Sequence, residues 1–234
     1  MPVATLDVSQ RLKVTSIQVL HPGKNSSEVI HDIFAMHISP PCSVLDLTFG
    51  LGGFWKWGWR SAGVDLTVND QYSQPKSPGL TIMRHDFTSV PIPDNSFDVV
   101  VFDPPFTANG PQRGTDRHQD RYGATRDLVG APQNMKDVHR LMELGTSTAT
   151  RLARRAVIIK TQDVIESDRY WDSEEVLCSS LKSANSRAED NIRYLNARQP
   201  QPDKVRGSKI KHFRNRPSVF IYALPDRSRR QQRT

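Results

Sequence analysis

The sequence has only two cysteines, no long apolar run, no internal repeat and no long low-complexity tract. Cys42 and Cys178 cannot build a disulfide framework, and neither stands at metal-ligand spacing. Cys42 opens an apolar strand and Cys178 falls on a helical pattern, so both read as packing residues. No apolar stretch approaches the roughly 20 residues that a membrane span requires. The segment Met1–Lys13 lacks the basic-then-apolar layout of a secretory signal, so the expectation is a cytoplasmic protein. What remains is an ordinary globular composition, 36% hydrophobic and 24% charged over 234 residues. That length suits one domain with a sizeable core. The expected organisation is a single domain over 1–225 with a short basic tail over 226–234.

Net charge is +7, but the charge is segregated. Residues 198–234 hold 11 Lys/Arg against the two acids Asp203 and Asp226, whereas the preceding 197 residues hold 21 bases and 23 acids. Clustered cations on a near-neutral body fit a polyanionic partner, because they gain by releasing counterions condensed on nucleic acid.

Hydrophobic periodicity alternates between strand and helix. Strands are expected at Ser43–Thr48, Gly63–Thr67, Thr81–His85, Phe97–Phe102 and Ala156–Thr161. Ile192–Ala197 and Ser218–Leu224 are expected to pair as a C-terminal antiparallel hairpin. Helices are expected at Ser26–His37, Met135–Ala153 and Glu174–Ala184. The pattern predicts an α/β fold: a Rossmann-like, doubly wound, mainly parallel seven-stranded sheet. Ligands of such sheets bind beyond the carboxyl ends of the strands, so the residues that follow each strand matter most.

Four strands are followed by residues able to carry chemistry. Asp46-Leu47-Thr48-Phe49-Gly50-Leu51-Gly52 is a glycine turn that lets a ligand approach the backbone. Asp65 is read as ending the second strand, where a carboxylate accepts from ribose hydroxyls. Asp86, followed by Phe87, ends the third, where an acid and a ring can hold an adenine. The fourth ends in Asp103-Pro104-Pro105-Phe106. Two prolines strip away two N–H donors and leave carbonyls facing outward, so the tetrad offers acceptors and an aromatic face. Accepting both hydrogens of an exocyclic base amine, at Asp103 and the Pro104 carbonyl, favours a pyramidal nitrogen whose lone pair is aimed at a methyl donor. Phe106 can stack on a flipped base.

In this order the motifs resemble those of class I S-adenosylmethionine-dependent methyltransferases, and Asp103-Pro-Pro-Phe106 is similar to the D/N-P-P-Y/F/W motif of amino-methyltransferases acting on nucleic acids. The whole chain resembles small DNA-methylase-like proteins of bacteriophages and actinobacteria, from about His21 to Leu224, including Lys160-Thr161-Gln162-Asp163 after the fifth strand. The resemblance implies S-adenosyl-L-methionine as cofactor and no metal. It implies that Asp46, Thr48, Phe49, Gly50 and Gly52 line the methionine end, that Asp65 takes the ribose, and that Asp86 with Phe87 takes the adenine. His21-Pro22-Gly23-Lys24 is similar to a methionine-side segment. The leading Asp103 leans towards adenine N6 over cytosine N4, and RNA enzymes share the tetrad. A cytosine C5 enzyme needs a Pro-Cys nucleophile after the fourth strand; here Pro41-Cys42 precedes the first. A catalytically silent nucleic-acid-binding protein on the same scaffold is the alternative from another class.

One departure is the run Phe54-Trp55-Lys56-Trp57-Gly58-Trp59, unusually aromatic for a cofactor-loop helix, with Trp55 and Trp59 expected on one helical face. A separate target-recognition domain has little room after Phe106. Recognition is assigned instead to two inserted loops. The first, 107–133, carries Arg113, Arg117, His118, Arg121, Tyr122 and Arg126, and loops of that length often act as lids or binding loops. The second, 198–216, carries Arg198, Lys204, Arg206, Lys209, Lys211, His212, Arg214 and Arg216, an arm able to track a phosphate backbone.

Overall fold

Strand and helix alternate as the periodicity requires, and the computed structural model describes residues 25–71, 79–108, 132–166, 169–194 and 218–226. Helix α1 (Ser26–His37) is followed by β1 (Cys42–Asp46), β2 (Val64–Asn69), β3 (Ile82–Met83) and β4 (Phe97–Phe102). Then come α2 (Met135–Leu152), β5 (Ala153–Gln162), the ribbon β6 (Val164–Glu166) and β7 (Arg169–Trp171), α3 (Ser173–Ser183), β8 (Ser186–Tyr194) and β9 (Ser218–Pro225). Seven strands form one sheet in the order β3-β2-β1-β4-β5-β9-β8. Strands β1 to β5 run parallel. Strand β9 lies antiparallel between β5 and β8. The expected fold class and the terminal hairpin are both present, and the small β6–β7 ribbon is an addition to them.

The sheet is covered on both faces because its central strands are apolar at nearly every position. Alternate residues point to opposite sides. Val44, Val99, Val101 and Ile158 face a cluster built from Val29, Ile30, Ile33 and Phe34 of α1 and from Trp55 and Trp59. Leu45, Val100, Phe102, Val157 and Ile159 face α2 and α3 through Val138, Met142, Ala149, Leu177 and Leu181. Helix α1 starts at a capping box in which the Asn25 side chain accepts from Ser27 and Glu28 N–H while Glu28 accepts from Asn25 N–H.

Several expected elements differ. Strand β8 begins at Ser186, six residues before the expected Ile192, and the expected residues 195–197 lie outside the described residues. Strand β3 is two residues long instead of five, with an exposed Arg84 and His85 beyond it. Residues 51–63 form turns, not a helix, so Trp55 and Trp59 do not share a helical face. The aromatic residues cover the sheet by packing: Trp55 meets Trp59 edge-on at 6.3 Å and Phe34 at 6.0 Å. Strand β2 runs on to Asn69, two residues further than expected.

The reversal of strand order falls between β1 and β4, which opens a crevice at their carboxyl ends. Phe102, the last residue of β4, is fully buried against Gly145 of α2. A Cβ added at Gly145 would lie 2.2 Å from the Phe102 ring. Gly145→Ala gains up to ~1 kcal/mol of helix propensity but overpacks the core by ~1–3 kcal/mol. The expected outcome is a net loss of about 1–2 kcal/mol in denaturant unfolding, with the loss smaller when Phe102→Leu makes room.

Candidate active site

The end of β1 is shaped by hydrogen bonds that its own side chains provide. Asp46 is buried, and its Oδ1 accepts from Thr48 N–H at 3.1 Å while its Oδ2 accepts from the Trp55 indole at 2.6 Å. Gly50 N–H donates to Asp70 Oδ2 at 2.7 Å, and Gly52 N–H donates to the Phe49 carbonyl at 2.9 Å. Gly50 and Gly52 take φ of +57° and +74°, a region that favours glycine. Gly52 has a second reason, since a Cβ there would lie 2.8 Å from the Phe49 ring. A Cβ on Gly53 meets nothing within 4 Å, which leaves open space over the end of the turn.

Three of the residues expected in the cofactor site, Thr48, Gly50 and Gly52, stand at this rim, whereas Asp46 is buried behind it. Phe49 does not face it, because its ring is buried in the core beneath the glycine turn. Asp65 is also displaced. It is the second residue of β2, exposed, and paired with Ser43 near the amino end of the sheet. The acid at the carboxyl end of β2 is Asp70, which is hydrogen-bonded to the glycine turn. The sequence carries a signal for this: Val64, Leu66 and Val68 continue the alternation past Asp65 and are all buried.

Asn69 has no counterpart among the residues expected from sequence. It is buried, and its Nδ2 donates to the carbonyls of Leu47 and His85, each at 3.0 Å, while its Oδ1 accepts from His85 N–H at 3.0 Å. One amide thus ties the ends of β1, β2 and β3 together. Asp86 is exposed beyond β3 and caps a turn, with Oδ1 accepting from Thr88 N–H and Oγ1 at 2.8 Å each. Phe87 in that turn is half-buried, its ring 5.4 Å from that of Phe102.

The tetrad sits across the crevice from the glycine turn. Asp103 N–H donates to Thr48 Oγ1 at 2.8 Å, which joins the end of β4 to the end of β1. Lys160 on β5 places Nζ 3.4 Å from Asp103 Oδ2. The same ammonium lies 5.4 Å from the Phe54 ring centre and 5.6 Å from that of Phe106. Asp103 Oδ1 is buried and has no hydrogen-bond partner among the described residues. Pro104 is buried, and Pro105 and Phe106 are half-buried.

Electrostatics separates the two ends of the sheet. At the amino end, burial works against ionisation of Asp98, yet hydrogen bonds from Ser43 and Arg154 outweigh it and hold the carboxyl below its usual range. At the carboxyl end the balance reverses. Burial pushes Asp46 up to about 7, against the hydrogen bonds from Trp55 and Thr48 and helped by the charges of Asp103 and Asp70. Burial also raises Asp103, with the Lys160 ammonium pulling the other way. Perturbed carboxylates gathered in a crevice make it a candidate functional site. Cys42 starts β1 at the far end from Asp46, and no group of three His, Cys, Asp or Glu side chains among the described residues is placed to hold a metal. No helix among them is long and apolar enough to cross a membrane.

No protein-family model matches the sequence, and no curated protein matches it. Solved structures do. A chain described as a sarcosine dimethylglycine methyltransferase from Galdieria sulphuraria matches with a TM-score of 0.51 at 12% identity, over 85% of this chain and 84% of that one. A chain from a complex between a methyltransferase activator and a methyltransferase of Haloferax volcanii matches with a TM-score of 0.52 at 13% identity, over 86% and 91%. The fold is that of class I methyltransferases. At such identities the likeness speaks for the fold alone, and the chemistry has to come from the crevice.

The segments Arg113, Arg117 and Arg121, and Arg198, Lys204, Arg206, Lys209, Lys211, Arg214 and Arg216, lie outside the described residues, as does His21–Lys24. The core of the site carries its own test. Because Asp46 titrates higher in the folded protein than in the unfolded chain, its contribution to stability is full below about pH 4 and is lost as pH rises through about 7. Relative to Asp46→Asn, wild type is therefore expected to lose on the order of a few kcal/mol of unfolding free energy between about pH 4 and pH 8. Urea unfolding of both proteins across that range measures the difference; a flat difference contradicts the titration.

Proposed function

We propose that this chain is an S-adenosylmethionine-dependent methyltransferase that methylates an exocyclic amine of a nucleic-acid base, with adenine N6 in DNA as the leading substrate. The observation that carries the reading is the Asp103 carboxylate at the end of β4, whose Oδ1 is buried without a donor among the described residues. Such an oxygen costs about 1–3 kcal/mol or more to leave unmet, and Pro104 and Pro105 have no N–H to offer it. The chemistry that fits is a ligand that donates, as a base amine does.

The residues present fit the cofactor. The left-handed Gly50 and Gly52 keep the turn tight, and the space over Gly53 admits a ligand. Asp70, in place of Asp65, is assigned to the ribose hydroxyls, and Asp86 with Phe87 to the adenine. Asp46 is assigned to shaping the loop from below, since both of its oxygens already accept hydrogen bonds. When bound, S-adenosylmethionine supplies an electrophilic methyl group.

The chain's own residues then do the following. Asp103 Oδ1 accepts one amine hydrogen and the Pro104 carbonyl the other, which turns the nitrogen lone pair out of conjugation and towards the methyl carbon. Pro105 shapes the turn, and the Phe106 ring stacks on the flipped base. The amine nitrogen would form the new bond to the methyl carbon as the methyl–sulfur bond of the cofactor breaks and S-adenosylhomocysteine leaves, and the amine proton would depart by way of Asp103. Orientation supplies most of the rate. The nucleic-acid partner rests on the 11 Lys/Arg of residues 198–234, which a small-molecule or protein substrate leaves without a role.

Transfer of labelled methyl groups to duplex DNA, single-stranded DNA and RNA tests the reading directly, with base analysis of the product separating adenine N6 from cytosine N4. Asp103→Ala is expected to lower kcat by ~10²-fold or more while calorimetry shows cofactor binding nearly unchanged; near-normal turnover overturns the mechanism. Asp70→Ala is expected to weaken cofactor binding by ~10- to 100-fold, as loss of charge-assisted hydrogen bonds does, whereas Asp65→Ala leaves it unchanged. The reverse order would return the ribose to Asp65.

A further inference from the structure

We propose that Lys160 is a positioning residue, which holds Asp103 by Oδ2 so that Oδ1 is presented to the amine. The inference rests on the reading of Asp103 as the acceptor of the amine hydrogens, and it adds a residue from a different strand. Lys160 is on β5, beside β4 in the sheet, and its side chain is 13% exposed. It meets three groups at once: Asp103 Oδ2 at 3.4 Å, the Phe54 ring at 5.4 Å and the Phe106 ring at 5.6 Å. Phe54 belongs to the turn region after the glycines and Phe106 ends the tetrad, so one cation connects the cofactor side of the crevice with the substrate side. A cation over an aromatic ring is attracted by its face, which orients Phe106 as well as the carboxylate.

The arrangement also assigns different work to the two oxygens of Asp103. Oδ2 is engaged by the ammonium and Oδ1 has no partner among the described residues. A carboxylate only accepts, whereas a protonated carboxyl carries a hydrogen that opposes an incoming N–H. Lys160 therefore keeps Asp103 in the form that suits an amine. Among the described residues, Lys160 from β5 is the charged group that pulls the Asp103 carboxyl down against burial, and the Asp103 charge in turn raises Asp46 at the end of β1. Removing the ammonium leaves burial to push the Asp103 carboxyl upward.

Lys160→Met keeps an unbranched apolar chain between the two rings and removes the ammonium, with its charge and its hydrogen bond to Asp103. With duplex DNA of mixed sequence, kcat at pH 7 is expected to fall by about 10- to 100-fold, with the KM for S-adenosylmethionine little changed. The acid limb of the kcat profile moves to higher pH, so part of the loss is recovered in alkali, and Lys160→Arg retains more activity than Lys160→Met. A readout without cofactor or substrate is the carboxyl carbon resonance of Asp103, identified by its absence in Asp103→Ala. It is expected to titrate at higher pH in Lys160→Met than in wild type. Wild-type rate and profile in Lys160→Met, or a lower rate with both the profile and the Asp103 titration unmoved, overturns the assignment. If Asp103→Ala itself turns over normally, the reading of Asp103 fails first; if it is inactive and Lys160→Met is not, only the role of Lys160 fails.

Discussion

The crevice depends on the hydrogen bond from Asp103 N–H to the Thr48 hydroxyl, at 2.8 Å, at the point where the strand order reverses. Parallel neighbours β1 and β4 diverge there, one into a glycine turn and the other into two prolines. Without a tie the two ends would be set only by the sheet behind them. The Thr48 side chain supplies it, and Thr48 N–H is in turn held by Asp46. A chain of three residues thus couples the geometry of the glycine turn to that of the tetrad.

The second constraint is electrostatic. Asp46, Asp70 and Asp103 end three adjacent strands, and two of them are raised because they are buried. Compensation is local and specific: the Trp55 indole for Asp46, the Gly50 N–H for Asp70 and the Lys160 ammonium for Asp103. The tryptophan-rich segment, which reads as an oddity in the sequence, is explained by this need. It supplies the buried donor for Asp46 and covers the sheet face where a helix is expected from the sequence. The opposite end of the sheet, where Asp98 is satisfied by Ser43 and Arg154, is built for stability.

Much of this is legible in the amino-acid order. The apolar run of Phe97–Phe102 has the composition of a strand covered on both faces, and the residues after it stand where a doubly wound sheet binds ligands. Two residues lie elsewhere than expected, for identifiable reasons. Asp65 reads as a strand end because an acid interrupts the apolar pattern there, but period-2 alternation continues through Val68, and an exposed acid in a strand is compatible with it. Phe49 is expected at the cofactor from the family resemblance, whereas burial of its ring under Gly52 is more favourable than exposing it at the rim.

Local sequence suffices for the alternating α/β order, the strand that carries the tetrad, the lack of N–H donors at Pro104 and Pro105, and the segregation of positive charge. These follow from periodicity, ring closure of proline and charge along the chain. Only the folded chain puts Asp70 at the rim and Asp65 away from it, lets Asn69 stitch three strand ends, and brings Lys160 to Asp103 from 57 positions away. Those contacts join residues distant in sequence, and register and crossover set them; no local pattern encodes either.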